Sequence, residues 1–209
     1  MTVPWIELNE DACRQYINTR STFSAWEEAC RGNNKERASA LCKSLVRHQR
    51  MNWALYVGNA PRLLIEILSR LYTEGLAGQV TVIGPCSLFA YETESAVRLR
   101  TGPKPAARNP LILIVDNESL IEIILAIVQK LDKSFVLDQG RVINSKGFAV
   151  EVRVEHLGDV RILSSILVAK SGHIARMHTI APSSAAISGF DKHLTQILLQ
   201  LPLAVNIGI

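Results

Sequence analysis

The stretch Val80 to Glu92, VTVIGPCSLFAYE, constrains this chain most. Val80-Thr81-Val82-Ile83 is short, apolar and β-branched, and reads as a buried strand. Gly84-Pro85 stops it, because glycine admits unusual backbone angles and close approach while proline offers no ladder donor. From Ser87 onward, LFAYETESAVRL has helical composition. A strand, a glycine turn and a helix start gather free N–H groups and the positive end of a helix dipole at one point, which can hold an anion. An ordinary strand-to-helix turn explains the same residues without a ligand, and on this stretch alone that reading is preferred.

The residues before this stretch read as helical almost throughout, from 5 to 74. Asn9-Glu10-Asp11 caps a first helix carrying Tyr16, Phe23 and Trp26. Gly32-Asn33-Asn34 breaks it, and Lys35 to Trp53 resumes with Leu41, Leu45 and Trp53 among Arg and Lys. Gly58-Asn59-Ala60-Pro61 is a second break. Pro61 then leads into a helix with Leu64, Ile67, Leu68 and Leu71 at helical spacing, ended by Gly75 and Gly78. Lys35, Arg37, Lys43, Arg47, His48, Arg50 and Arg62 make this half locally positive. A phosphate-binding face is one reading. A solvated helix surface is the ordinary one, since no interleaved aromatics mark a stacking platform.

After the turn, Thr101 to Pro110 is a Pro-rich loop, and Leu111 to Val115 (LILIV) is a fully buried strand ending at Asp116 and Glu118. Ser119 to Leu131 is a helix. Short strands Phe135–Leu137 and Arg141–Ile143 flank the Asp138-Gln139-Gly140 turn, and FAVEVRV (148–154) alternates, with Glu151 and Arg153 on one face. Arg161–Ala169 and Ile174–Ile180 form a hairpin turning at Lys170-Ser171-Gly172, and Asp191–Leu201 is a last helix. The fold class is therefore α/β (α+β). An N-terminal helical region, 1–75, precedes a mixed-sheet domain, 76–209.

The chain of 209 residues, with net charge +4, is long enough for one real core and basic enough to permit nucleotide or nucleic-acid binding without requiring it. No apolar run reaches the roughly eighteen residues of a membrane span. The early acids of MTVPWIELNEDACR leave no apolar signal core, so the expectation is a cytoplasmic protein with no membrane partner. Cys13, Cys30, Cys42 and Cys86 lack metal spacing and read as reduced thiols. Cys86, beside the turn, is either an activated thiol or a small buried one, and the second is the plainer role. The five histidines show no zinc spacing, and Ser87 lacks a nucleophile-elbow context.

The segment RLLIEILSRLYTEGLAGQVTVIGPCSLFAYETESAVRL resembles a bacterial family with the nucleotidyltransferase fold of the DNA polymerase β superfamily. That family runs from a helix into a strand and a turn of the type hydrophobic-Gly-Thr-Asn-Ala-Leu-x-Ala-Tyr-Glu. The resemblance extends through AWEEACR, NWALYVGNAPRLL, LDKSFV, NSKGFAV and GHIARMHTIAP, which together cover most of the chain in short pieces. It implies a nucleoside triphosphate at the glycine turn. It also implies Mg²⁺ held by a D-x-D pair on the next strand and a third carboxylate on a later one. Such an enzyme transfers a nucleoside monophosphate to an acceptor hydroxyl. Family members continue with more helix, so the resemblance also implies a short C-terminal end here.

Carried over residue by residue, Gly84 matches the turn glycine, and Ser87 would cradle phosphate with it. Pro85 and Cys86 stand in place of Thr and Asn, and Pro85 has no N–H to offer. Residues 107–112 hold no acid. Asp116 and Glu118 form a D-x-E at the far end of the LILIV strand, and Glu151 matches the third carboxylate. A displacement of four to six residues moves an acid by roughly 13–20 Å, against metal–ligand distances of about 2 Å. Two readings follow. Asp116, Glu118 and Glu151 make a displaced metal site in a nucleotidyltransferase. Alternatively, the site is degenerate and the fold binds nucleotide, RNA or protein without catalysis, which is the reading the missing acids favour.

Overall fold

The computed structural model describes residues 5–99, 109–138 and 140–181. Helices α1 (Glu10–Arg31) and α2 (Lys35–Ala54) pack side by side. Each begins where the sequence supplies an asparagine cap. The Ala12 N–H donates to Asn9 Oδ1 at 2.7 Å and the Arg37 N–H to Asn34 Oδ1 at 3.0 Å, satisfying donors that a helix start leaves open. Helix α3 (Arg62–Thr73) follows Pro61 and leads through a short 3-10 turn to the sheet.

The main sheet has seven strands. In chain order they are β2 (Thr81–Ile83), β4 (Leu111–Val115), β5 (Val136–Asp138), β6 (Arg141–Ile143), β7 (Ala149–Val154), β8 (Ile162–Val168) and β9 (Ile174–Ile180). Their spatial order is β5-β6-β7-β4-β2-β9-β8. Strand β2 is antiparallel to β4 and parallel to β9, and β4 is parallel to β7, so the sheet is mixed and the class is α/β. Helix α5 (Ser119–Leu131) connects β4 towards the β5–β6 hairpin.

Apolar alternation decides which face each helix covers. Leu64, Ile67 and Leu71 of α3 and Ile124 and Val128 of α5 share one buried cluster with Val82, Leu113, Val150, Leu167 and Met177. Alternate residues of the β8–β9 hairpin point the other way. There Ile166 and Ile174 meet Phe23 of α1 and Leu45 of α2. The hairpin is further tied to α1 by a bidentate pair, in which the Arg176 guanidinium donates to Glu27 at 2.5–2.9 Å, to Ser164 Oγ at 2.7 Å and to Ser24 Oγ at 3.2 Å. Helix α3, assigned by sequence to the helical region ending at 75, thus packs inside the core of the sheet.

Two elements differ from the sequence reading. The helix after the glycine turn, α4, spans only Leu88–Glu94. Ala96 at φ +53° then turns the chain into β3 (Val97–Leu99). That strand pairs with β1 (Trp5–Glu7), a segment read as helical. Pairing partners some ninety residues apart in sequence leave no local pattern, so neither strand could be seen from periodicity. The predicted helix Asp191–Leu201 and most of the Thr101–Pro110 loop lie outside the described residues.

The hairpin turn seats against α2 with no room for a side chain. Gly172 has φ +82°, and a Cβ there would lie 1.9 Å from the Gln49 carbonyl oxygen. Gly172→Ala is therefore expected to cost about 2 kcal/mol or more, from strained backbone and from lifting the turn off the helix. Urea unfolding of the two proteins measures it.

Candidate functional site

Sheet register places Glu151, and the strands that lead to Gly84 and to Asp116 place those two. Ile83, the last residue of β2, lies opposite Ile112 of β4, and Ile112 lies opposite Glu151 of β7. Directly opposed residues share a face, so Glu151 sits on the row that ends beside the glycine turn. Gly84 itself approaches β4 closely, since a Cβ there would come within 3.2 Å of Ile112 Cδ1. The third-carboxylate position and the turn glycine are thus at the same end of the sheet.

Asp116 and Glu118 are not. Strand β4 runs away from this end, with Thr81 opposite Ile114 and Val115 opposite Val154. Asp116 is four residues beyond Ile112, or about 13 Å along the strand. It lines a separate cleft with Gly78, Gln79, His156, Gly158 and Val160. Glu118 is exposed at the N-cap position of α5. The start of β4, beside Gly84, carries Asn109, Pro110, Leu111 and Ile112, none of which is an acid. Glu151 is committed locally, its Oε1 accepting from Arg153 Nε at 2.6 Å. That bond stabilises the charged guanidinium and raises the Arg153 pKa. Among the described residues, no three His, Cys, Asp or Glu side chains group as a metal ion would need. Of the residues outside them, only Asp191 carries a side-chain carboxylate. The predicted carboxylates therefore do not fit a Mg²⁺ clamp. Among the described residues, Glu151 is the one predicted carboxylate at the turn end of the sheet, and Asp116 and Glu118 lie towards the other end.

The turn is packed rather than open. Gly84–Ser87 forms a 3-10 turn leading directly into the seven-residue α4. Cys86, Ser87, Leu88, Phe89 and Ala90 are all buried. The Ser87 hydroxyl donates to the Gly84 carbonyl at 2.7 Å, so it closes the turn instead of facing a ligand. Burial pushes the Cys86 thiol pKa up to about 12, which makes it a small core residue and not an activated nucleophile.

The sequence reading missed one carboxylate. Glu92 of α4 is 3% exposed. Its Oε1 accepts from the Leu99 N–H at 2.7 Å and its Oε2 from Asn59 Nδ2 at 3.2 Å. These bonds hold β3 and the loop before α3 against α4. Nearby, Arg98 donates to the carbonyls of Tyr56 and Gly58, and Tyr91 donates to the Ile180 carbonyl at 2.7 Å. The signal was available in LFAYE, where one acid ends an otherwise apolar run. Its buried role depends on β3, which the sequence did not reveal.

Desolvation raises the Glu92 pKa, against the smaller opposing effects of Leu99, Asn59 and Arg98. The folded state then binds this proton more readily than the unfolded chain, so the contribution of Glu92 to stability falls as pH rises above its ordinary value of 4.5. Glu92→Gln keeps the shape and removes the charge. Relative to the parent, this variant is expected to gain stability between about pH 4 and pH 7, read by urea unfolding at both.

No family model, no curated protein and no solved structure matches this chain.

Proposed function

We propose that this chain is a catalytically silent, nucleotidyltransferase-like binding module. The observation that carries this reading is the register of β2, β4 and β7, which puts Glu151 on the row of Ile83 and Ile112, two strands across from the Gly84 end of β2, and sets Asp116 about 13 Å along β4 from that row. In-line phosphoryl transfer asks two or more carboxylates to share bound metal at the phosphate. Ile112 occupies the strand position directly opposite Glu151, where such an acid would meet it. The buried Ser87 hydroxyl and the missing N–H of Pro85 count against a phosphate cradle at the turn. A cytoplasmic role with a macromolecular partner belongs to the same proposal. The competing reading is transfer of a nucleoside monophosphate from an NTP by Mg²⁺ held on Asp116, Glu118 and Glu151. It would need those three side chains at one point.

Calorimetric titration of ATP, GTP, CTP and UTP into the full chain, with Mg²⁺ and then with EDTA, tests the reading. The expected result is no Mg²⁺-dependent binding tighter than about 1 mM and no difference in Glu151→Ala. Tight, Mg²⁺-dependent binding that Glu151→Ala abolishes would overturn it.

A further inference from the structure

Helix α2 leaves an unusual face in solvent. It carries Lys35, Arg37, Lys43, Arg47 and Arg50 against the single acid Glu36, an excess equal to the +4 of the whole chain. Only Leu45 and Asn52 of its twenty residues are buried. With 3.6 residues per turn, Val46, Trp53, Arg50, Lys43 and Arg47 fall within one arc of about 120°. All five are exposed, Trp53 by 65%. Tyr56, just beyond the helix, is 78% exposed.

Three of these cations stand without the carboxylate partners that several arginines elsewhere in the molecule have. Arg14, Arg20, Arg62, Arg70, Arg153 and Arg176 each reach a carboxylate. Among the described residues, Lys43, Arg47 and Arg50 form no ion pair. Placed three and four residues apart on one face, they repel one another and weaken the helix. Tyr56 adds backbone strain at φ +52°, and its carbonyl is clamped by Arg98, which fixes the ring's base while leaving the ring in water. Unpaired like charges and large exposed aromatics both disfavour the isolated protein. A polyanion with flat apolar faces relieves both, by neutralising the cations and covering the rings.

We propose that the outer face of α2, with Lys43, Arg47 and Arg50 as phosphate contacts and Trp53 and Tyr56 as stacking surfaces, binds single-stranded RNA. The helix rises 1.5 Å per residue, so the three cations span about 10 Å and Trp53 follows within another 5 Å. The order is a short basic track leading to aromatic platforms, the combination that holds single strands without reading sequence. Bases in a duplex are stacked on each other and have no face to give Trp53. An acidic polypeptide would satisfy the charges but not the rings. The proposal rests on the binding-module reading and names the partner of that module.

The test uses the full chain and a fluorescein-labelled 12-mer of oligouridylate, followed by anisotropy at several salt concentrations. The parent is expected to bind, and Lys43→Ala/Arg47→Ala/Arg50→Ala to bind at least tenfold more weakly. The slope of log K against log salt should flatten by about 2, for three lost phosphate contacts. Trp53→Ala should weaken binding between about fivefold and a hundredfold. Every substituted residue is exposed, and circular dichroism confirms that each variant keeps its helix content. No binding by the parent at low salt would overturn the proposal, as would binding that both variants leave unchanged. Labelled poly-glutamate binding as tightly as the RNA would also overturn it, and would point to an acidic protein partner. Failure here with silent nucleotide titrations removes the RNA inference alone, whereas Mg²⁺-dependent NTP binding removes the binding-module reading.

Discussion

The row Ile83–Ile112–Glu151 across β2, β4 and β7 is the constraint on which the functional account depends. It is set by ladder hydrogen bonds and by the buried alternation of Val82, Leu113 and Val150 on the opposite face. A slip of one residue would turn Leu111 and Leu113, both fully buried, out of the core that α3 and α5 cover. A slip of four, which would bring Asp116 level with Glu151, keeps the faces but sets polar Asn117 in the place of buried Leu113, so the register does not adjust to bring Asp116 towards Gly84. The core holds the candidate site residues at opposite ends of the sheet.

The same priority of packing over ligand binding runs through the turn. Gly84 allows β4 to approach, and Ser87 closes the turn with its own hydroxyl. Cys86 and Phe89 continue the buried cluster beneath the sheet. A phosphate site needs N–H groups pointing into solvent, and here the first turn of α4 is interior. Buried Glu92 then uses its carboxylate to gather Leu99 and Asn59. The region that most resembles a nucleotide cradle works as the junction between the helical region and the sheet.

Much of the fold was legible because local chemistry decides it. Asn9 caps α1, the break read at Gly32–Asn34 separates α1 from α2, the LILIV run forms β4, and FAVEVRV alternates as β7 with Glu151 and Arg153 on one face. The Lys170–Gly172 turn joins β8 to β9 in register. What was not legible depends on distant partners. The β1–β3 pair joins the start of the described chain to the strand that follows α4, which spans only Leu88–Glu94. The sequence groups Trp53 with the apolar side chains of its helix, but the narrow inward face of α2 is filled by Leu45 and Asn52, which leaves the indole outside. The separation of Asp116 from Gly84 was foreseeable in distance. Its direction required the antiparallel sense of β2 and β4.

The exposed basic face of α2 and the packed turn lie on different elements, so partner binding and nucleotide chemistry can be judged independently. The most direct test of the central claim is Mn²⁺ titration followed by electron paramagnetic resonance, with the full chain, a nucleoside triphosphate and Glu151→Gln as comparison. Mn²⁺ replaces Mg²⁺ at oxygen-ligand sites and reports each bound ion by loss of the free-ion signal. The account predicts that protein adds no Mn²⁺ binding to that of the nucleotide alone, and that parent and variant titrate alike. Stoichiometric Mn²⁺ uptake by the parent, lost in Glu151→Gln, would contradict it, because Glu151 would then have partners at the turn that the register of the sheet denies it.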